Sequence, residues 1–265
     1  MSKCEINFKG ETLVLITGAS RGIGHEIAIQ LSVKFEELNG GSITFILIAR
    51  NGEKLNQLDN ILTQNNKIKV LCISCDLSNP EGLDKCTESI QKLNNTFNRF
   101  LLIHNVGDLP VVPTKSFNIT SNQVNSSIFL NFGHIFGLNN FLFNNFLDIQ
   151  TNEVEIFIVN ITSIVATQPM VNLSIYNSVK AARNSLFETI ALEYKNVRVL
   201  NYSPGPIDTE LLHQIMSDED IRINPMIVNI KESIHLFIEL LITNKFYSGE
   251  TIDYYDDINY IECKE

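Results

Sequence analysis

Residues 13–24 read Leu-Val-Leu-Ile-Thr-Gly-Ala-Ser-Arg-Gly-Ile-Gly, and this stretch decides the fold. It begins with four apolar residues and ends in a turn that contains Gly18, Gly22 and Gly24. Apolar residues then recur at helical spacing as far as Leu31. The stretch therefore predicts a strand, a glycine turn and a helix as the first unit of the chain.

The same alternation of strands and helices continues to the end of the sequence. Predicted strands cover residues 13–16, 43–48, 70–74, 100–104, 155–161, 197–202 and 250–255. Predicted helices cover residues 53–65, 80–93, about 123–146, about 175–194 and 230–241. Strands that alternate with helices of this length form parallel βαβ units. We therefore predict an α/β fold with a doubly wound, Rossmann-like parallel sheet, in a single domain that spans residues 1–265.

Composition excludes several classes of protein. The chain has 265 residues, 44% of them hydrophobic and 19% charged, which is typical of a globular protein. Lys and Arg number 20 against 30 Asp and Glu, so the net charge of −10 argues against a nucleic-acid partner. The apolar runs are far shorter than the roughly 20 residues of a membrane span, and no secretory signal is recognisable, so we expect a cytoplasmic protein. Five histidines and five cysteines show no ligand spacing, and we expect no metal site.

The glycine turn and the end of the second strand predict a dinucleotide site. Glycines let the backbone approach a pyrophosphate, and free amides at a helix N-terminus face it. The second strand ends in Arg50 rather than in the carboxylate that would bind the ribose 2′-hydroxyl of NAD. Arg50 and Arg21 can form charge-assisted bonds with a 2′-phosphate, which favours NADP(H). The alternative is that both arginines are only solvated. Asp76 is placed to reach the adenine, or else it only starts a turn before Pro80.

Ser163, Tyr176 and Lys180 form the candidate catalytic group. Tyr176 and Lys180 are four residues apart on a predicted helix, so their side chains share a face. A neighbouring ammonium would lower the pKa of the phenol and make it a usable general acid and base. Ser163 follows a strand and could bind the same substrate oxygen. The spacing alone can arise by chance, but its position after the glycine turn and before a Pro204–Thr209 segment favours a hydride-transfer site.

Together these residues give the chain a resemblance to the short-chain dehydrogenase/reductase superfamily from residue 13 to residue 255. The resemblance implies that Asn131, Ser163, Tyr176 and Lys180 form a catalytic tetrad, with Asn131 anchoring a water relay. At residues 104–107 the chain reads His-Asn-Val-Gly, where the family usually has Asn-Asn-Ala-Gly. The cofactor-binding residues that we predict, from the residues and the resemblance together, are Thr17, Gly18, Ser20, Arg21, Gly22, Ile23, Gly24, Arg50, Asp76, Leu77, Asn105, Gly107, Tyr176, Lys180, Pro204, Gly205, Ile207 and Thr209.

Within the superfamily, residues 176–183, 197–206 and 248–256 most resemble sepiapterin reductases. That resemblance implies NADPH-dependent reduction of side-chain carbonyls of a pterin, as in tetrahydrobiopterin synthesis, by a homodimer formed through the helices at 123–146 and 175–194. The substrate would contact Ser163, Tyr176 and Asp253, the last as the anchor of the pterin ring. Alternatives are a general carbonyl or diketone reductase, in which Asp253 is an exposed C-terminal acid, and a non-catalytic dinucleotide sensor.

Overall fold

The parallel sheet is the feature on which every later observation depends. The computed structural model describes residues 6, 8–94, 96–109, 113–146 and 154–256. Among these residues, seven strands form one sheet in the order β3-β2-β1-β4-β5-β6-β7, and all neighbours run parallel. The strands are β1 (Glu11–Thr17), β2 (Ser42–Ala49), β3 (Ile68–Ser74), β4 (Arg99–His104), β5 (Glu155–Ile161), β6 (Val197–Ser203) and β7 (Glu250–Asp253). The predicted fold class is confirmed.

Helices connect the strands and cover both faces of the sheet. In the described segments they are α1 (Gly22–Glu37), α2 (Gly52–Leu62), α3 (Pro80–Ile90), α4 (Ser121–Ile128), α5 (His134–Asn145), α6 (Ser174–Glu193), α7 (Glu210–His213), α8 (Asp218–Ile223) and α9 (Ile230–Thr243). Short 3₁₀ helices cover Ser116–Asn118 and Ile164–Ala166. The prediction of one domain over residues 1–265 also includes residues outside the described segments, so for the full length it stays a prediction.

The core lies in two layers because successive side chains of a strand point to opposite faces. In β1, Val14 and Ile16 pack with α1, α2 and α9, whereas Leu13 and Leu15 pack with α3, α5 and α6. All four side chains are completely buried, and each contributes about 1.5–3 kcal/mol by leaving water. The near-continuous apolar strands of the sequence reflect this burial on both faces.

The predicted helix at 123–146 differs from the structure in one respect. A π-helical turn, Phe129–Gly133, separates α4 from α5. Such turns insert one residue into a helix and often occur at functional sites. The turn contains Asn131, whose side chain is completely buried.

The predicted strand at 250–255 is two residues too long. β7 ends at Asp253, and residues 254–256 form a helical turn. The reason is local, since the Asp253 carboxylate accepts the backbone N–H of Tyr255 at 3.0 Å and so starts the turn. Asp253 pairs with Ser203 of β6, and both lie at the carboxyl end of the sheet.

Candidate active site

The glycine turn after β1 is shaped for a close approach of a ligand to the backbone. Gly18 has φ +72° and Gly22 has φ +55°, a region that favours glycine. A Cβ on Gly18 would lie 2.8 Å from Asn105 Nδ2, and one on Gly24 would lie 2.5 Å from Gly18 O. Arg21, at the N-cap position of α1, makes no side-chain bond to the first amides of the helix. The turn therefore fits the pyrophosphate of a dinucleotide, which such amides bind.

A second turn, after β4, is bonded directly to the glycine turn. Thr17 Oγ1 accepts the backbone N–H groups of Asn105 and Val106, each at 3.0 Å. The Asn105 amide donates to the carbonyl oxygens of Thr17 at 3.0 Å and Gly18 at 3.3 Å. β1 and β4 are neighbours at the point where the strand order reverses, which is where ligands bind in sheets of this kind.

The two arginines predicted to bind a 2′-phosphate each face a carboxylate that the sequence did not reveal. Arg21, in the glycine turn, forms an ion pair with Glu210 at the start of α7. Arg50 Nη2 lies 3.7 Å from Asp108 Oδ2, in the turn after β4. The side chains of Arg21 and Arg50 are 48% and 62% exposed, so both pairs are accessible to water and weak.

The remaining predicted cofactor residues line the same edge of the sheet. Asp76 accepts the N–H of Ser78 at 3.0 Å, which is the turn-forming alternative, and its contact with adenine stays a prediction. Leu77 is buried beside it, while Ser20 and Ile23 are partly buried at the glycine turn. The segment after β6 reaches this turn as well, since a Cβ on Gly22 would lie 3.7 Å from Thr209 Cγ2. Within that segment Pro204 and Ile207 are buried and Gly205 has φ +77°.

Tyr176 and Lys180 lie side by side on α6, as their spacing predicts. Lys180 Nζ is 5.5 Å from the centroid of the Tyr176 ring and donates to Ile161 O at 2.9 Å. Tyr176 is 8% exposed and Lys180 is 3% exposed. A Cβ on Gly107 would lie 3.2 Å from Lys180 Nζ, so the turn after β4 passes directly over the amine.

Asn131 connects the π-helical turn to the same turn after β4. Its Oδ1 accepts the N–H of Asp108 at 3.0 Å, and its Nδ2 donates to Asp108 O at 3.1 Å. The amide also donates to Ser127 O at 3.0 Å. Asn131 Oδ1 would lie 3.6 Å from a Cβ on Gly107, so two of the four predicted tetrad residues, Asn131 and Lys180, lie beside that glycine. The π-helical turn aims this amide inward.

Apolar side chains surround the phenol of Tyr176. Leu109, Val165 and Leu173 form a small buried cluster with it, and Leu211 of α7 packs against that cluster. Ser163 is the residue before the 3₁₀ helix that carries Val165, and it is partly exposed. The phenol is therefore surrounded largely by apolar side chains, with the hydroxyl of Ser163 on the adjoining segment.

Asp253 lies at the same edge of the sheet, two strands beyond β5. Its carboxylate is 8% exposed, which excludes the freely exposed C-terminal acid of the alternative interpretation. Ser203 Oγ donates to its Oδ2 at 2.5 Å, and Tyr255 N donates to its Oδ1. A carboxylate has about four acceptor positions, so these two bonds leave capacity for a donor from a ligand.

The prediction that Lys180 lowers the pKa of Tyr176 is wrong for this structure. Burial raises the pKa of the phenol to about 12, and the nearby Asp108 also raises it. Burial and the neighbouring Arg183 lower the pKa of the Lys180 amine well below its ordinary value. The cation that does lower the pKa of Tyr176 is Arg183.

Three charged residues of the site were missed at the level of sequence: Asp108, Glu210 and Arg183. Asp108 follows directly on the turn at 104–107, and this adjacency was a usable signal. Glu210 had none. Arg183 lies seven residues after Tyr176, which puts it on the same face of α6.

A parallel sheet with a glycine turn at its switch point and a buried Tyr–Lys pair at its carboxyl edge defines a class, the dinucleotide-dependent oxidoreductases. Residues 12–220 match the family model described as short chain dehydrogenase. The chain belongs to the short chain dehydrogenase family.

Among characterised proteins, the chain is similar to the sepiapterin reductases of Bos taurus and Rattus norvegicus. The Bos taurus protein is 33% identical over 262 residues, which cover 94% of this chain and 96% of that protein. The Rattus norvegicus protein is 31% identical over 261 residues, which cover 93% and 97% respectively.

Solved structures support the fold. A short-chain dehydrogenase from Sphingobium yanoikuyae in complex with NADPH superposes with a TM-score of 0.73 at 20% identity, covering 95% of this chain and 93% of that one. A 3-oxoacyl-[acyl-carrier protein] reductase from Brucella melitensis superposes with a TM-score of 0.74 at 20% identity, covering 95% and 92%.

Two further kinds of site are absent from the described residues. In the described ranges, no helix is both long and apolar enough to cross a membrane. The described side chains also contain no group of three or more His, Cys, Asp or Glu that could hold a metal ion.

Proposed function

We propose that this oxidoreductase uses NADPH to reduce a side-chain carbonyl group of a pterin. The observation that carries the proposal is Asp253, a buried carboxylate at the same edge of the sheet as Tyr176. A pterin presents ring N–H and amino donors along one edge, and a carboxylate can accept two such bonds. The similarity to sepiapterin reductases over nearly the whole chain supports the same substrate class.

In the proposed mechanism, the chain binds both molecules and moves one proton. The glycine turn would hold the pyrophosphate of NADPH, and Arg21 and Arg50 would exchange their ion pairs for bonds with its 2′-phosphate. When bound, this cofactor would supply the hydride for the carbonyl carbon. Tyr176 donates its phenolic proton to the carbonyl oxygen, and Ser163 donates a hydrogen bond to the same oxygen.

The surrounding residues prepare these steps. Asn131 and Gly107 keep the turn after β4 over Lys180, and the apolar cluster around Tyr176 excludes water from the phenol. Asp253 holds the ring so that its side chain points along the carboxyl edge towards Tyr176. A homodimer and a cytoplasmic location stay predictions; the exposed Phe136 on α5 and Leu192 on α6 support the homodimer.

The proposed proton donor is tested by Tyr176→Phe. We expect this variant to lose nearly all reduction of sepiapterin while it still binds NADPH, because only the hydroxyl is removed. Tyr194→Phe removes a hydroxyl just after the end of the same helix and is the matched control. Activity of Tyr176→Phe within a few-fold of the parent would reject the assignment, and no activity in the parent with any carbonyl would favour the dinucleotide sensor.

The proposed pterin anchor is tested by Asp253→Asn, assayed with sepiapterin and with a small diketone that lacks the donor edge. A lost charge-assisted bond is worth about 1.5–3 kcal/mol, so we expect kcat/KM for sepiapterin to fall at least about tenfold relative to the diketone. Asp256→Asn changes an exposed acid three residues further on and is the control. An equal effect on both substrates would mean that Asp253 serves only its bonds with Ser203 and Tyr255, and would favour the general carbonyl reductase.

A further inference from the structure

Arg183 is a completely buried arginine beneath the Tyr176–Lys180 pair. It lies on α6, three residues after Lys180 and seven after Tyr176, so the three side chains share one face of the helix. A buried guanidinium is costly unless its donors are satisfied. The hydrogen-bond partners of the guanidinium therefore indicate its role in the structure.

The guanidinium binds backbone carbonyls from two elements that shape the site. Its Nη2 donates to His104 O at 2.6 Å, at the last residue of β4, and its Nη1 donates to Val106 O at 2.6 Å in the turn that follows. Nη1 also lies 3.4 Å from Asn131 O in the π-helical turn. Arg183 thus ties together the two turns that meet at Gly107, directly over Lys180.

The third nitrogen of the guanidinium, Nε, contacts β5. Arg183 Nε donates to Asn160 Oδ1 at 2.8 Å. The Asn160 amide in turn donates to Asn201 Oδ1 at 2.9 Å and Asn184 Oδ1 at 3.1 Å, so a chain of buried amides holds it in one orientation. The guanidinium is therefore fixed by hydrogen bonds to β4 and the turn after it, to the π-helical turn and to β5.

All of these acceptors are neutral. No carboxylate in the described part of the chain forms an ion pair with Arg183. The histidines that face it, His104 on β4 and His134 on α5, stay uncharged at neutral pH, because burial lowers the pKa of the first to about 3 and of the second to about 4. In the described part of the chain, no ion-paired carboxylate therefore offsets the charge of Arg183.

We propose that Arg183 is a positioning residue of the active site, which ties the turn after β4, the π-helical turn and β5 beneath the Tyr176–Lys180 pair and supplies the fixed positive charge that the phenol needs. When Tyr176 gives its proton to a carbonyl oxygen, it becomes an anion, and a nearby cation stabilises that anion. Lys180 is suited to this task only in part, since its amine is buried and donates to Ile161 O. The inference rests on the proposed function only in that it concerns the same phenol.

The charges around Tyr176 are consistent with this role. Arg183 lowers the pKa of the phenol, whereas burial and Asp108 raise it. Arg183 itself remains charged at neutral pH, because burial lowers its pKa only to about 10. Lys180 is the one other cationic side chain on this face of α6, and the charge of Arg183 contributes to lowering its pKa.

The test compares Arg183→Met, which removes the charge, with Arg183→Lys, which keeps it. The direct measurement is the ionisation of residue 176 itself, followed by fluorine NMR in protein labelled with fluorinated tyrosine, whose phenol ionises at lower pH. The signal of residue 176 is the one that disappears in Tyr176→Phe. This measurement needs no substrate, so it distinguishes a failure of the inference from a failure of the proposed pterin activity.

We expect Arg183→Met to raise the ionisation midpoint of residue 176 by about one pH unit. Arg183→Lys keeps the positive charge, so its midpoint should stay close to that of the parent. In the reductase assay, the alkaline fall of kcat should move up by the same amount, because reduction needs the protonated phenol. Arg198→Met is the matched control: it removes a partly buried guanidinium that binds Phe246 O near the amino end of β6, away from the site. It should lower the Tm and leave the midpoint unchanged.

Asn160→Asp covers the case in which Arg183→Met does not fold. The substitution is nearly isosteric and places a negative charge 2.8 Å from Arg183 Nε, so it offsets the charge of the guanidinium without removing the group. It also removes the donor to Asn184 and Asn201, so the measurement is made on protein shown to be folded. It should raise the midpoint of residue 176 in the same direction. If a folded Arg183→Met or Asn160→Asp protein has a lower Tm but an unchanged midpoint, Arg183 only holds the fold together and the inference is wrong.

Discussion

Arg50→Ala is the substitution that most directly tests how the chain distinguishes NADPH from NADH. The Arg50 side chain is 62% exposed, so its bond with a 2′-phosphate belongs at the lower end of the range for charge-assisted bonds, about 1.5 kcal/mol. To form that bond the guanidinium must leave Asp108, at a cost of about 0.5 kcal/mol for an exposed pair. The net gain of about 1 kcal/mol corresponds to about fivefold in kcat/KM.

The assay is kcat/KM with each cofactor at a fixed carbonyl substrate. Arg50→Ala should lose about fivefold with NADPH and nothing with NADH, which has no phosphate at this position. Arg21→Ala should also lose about fivefold with NADPH only. Because the two contributions multiply, the parent should prefer NADPH over NADH by at least about tenfold. Lys69→Ala, which removes an exposed charge near the amino end of β3, is the control. Equal kcat/KM values for the two cofactors in the parent, or an equal loss with both in Arg50→Ala, would refute the reasoning.

The ion pair of Arg21 allows a change in the opposite direction. Glu210→Gln removes the carboxylate that competes with the phosphate for Arg21. We expect a two- to fivefold tighter binding of NADPH, from about 0.5–1 kcal/mol, with no change for NADH. Glu219→Gln, an exposed acid in the first turn of α8, provides the charge-matched control. If Glu210→Gln leaves the affinity for NADPH unchanged, Arg21 does not bind the phosphate.

The remaining predictions concern the turn over Lys180 and His213, which connects α7 to α8. Gly107→Ala should lower kcat by about tenfold or more, because its Cβ would lie 3.2 Å from Lys180 Nζ, whereas Gly133→Ala crowds only a phenylalanine ring at the same distance and should keep activity. His213, bound at 2.6 Å to Asp218 and also to a second carboxylate, has a raised pKa, so its contribution to stability is complete below pH 6.5 and is lost as the pH rises through the raised value. The Tm difference between the parent and His213→Gln should therefore be largest at acidic pH and vanish at alkaline pH; a difference that does not change with pH would contradict this.

The fold was predictable from sequence because its strands are buried on both faces and its turns carry glycine. Val14 and Leu15 point into different layers, yet both layers are apolar, so the strand reads as a continuous hydrophobic run. The Tyr176–Lys180 pair was predictable for a similar reason. Two residues four apart on a helix meet whatever the rest of the molecule does.

The π-helical turn was not predictable, because the apolar periodicity of residues 123–146 runs through it without a break. An inserted residue rotates the following part of a helix by about 100° relative to the part before it. What the turn changes is the direction of Asn131, whose amide bonds to both backbone groups of Asp108. That direction matters only because the turn after β4, which is distant in sequence, places the backbone of Asp108 within hydrogen-bond distance of Asn131.

Arg183 shows the same limit in a stronger form. In the sequence it is one more charged residue on a helix, and such a residue is almost always at the surface. It is buried here because three backbone carbonyls and one amide oxygen, at His104, Val106, Asn131 and Asn160, converge on its position. None of these acceptors depends on the type of side chain at its own position except Asn160, so three of the four bonds leave no trace in the sequence. Backbone carbonyl groups therefore fix most of the position of the guanidinium that lowers the pKa of the Tyr176 phenol.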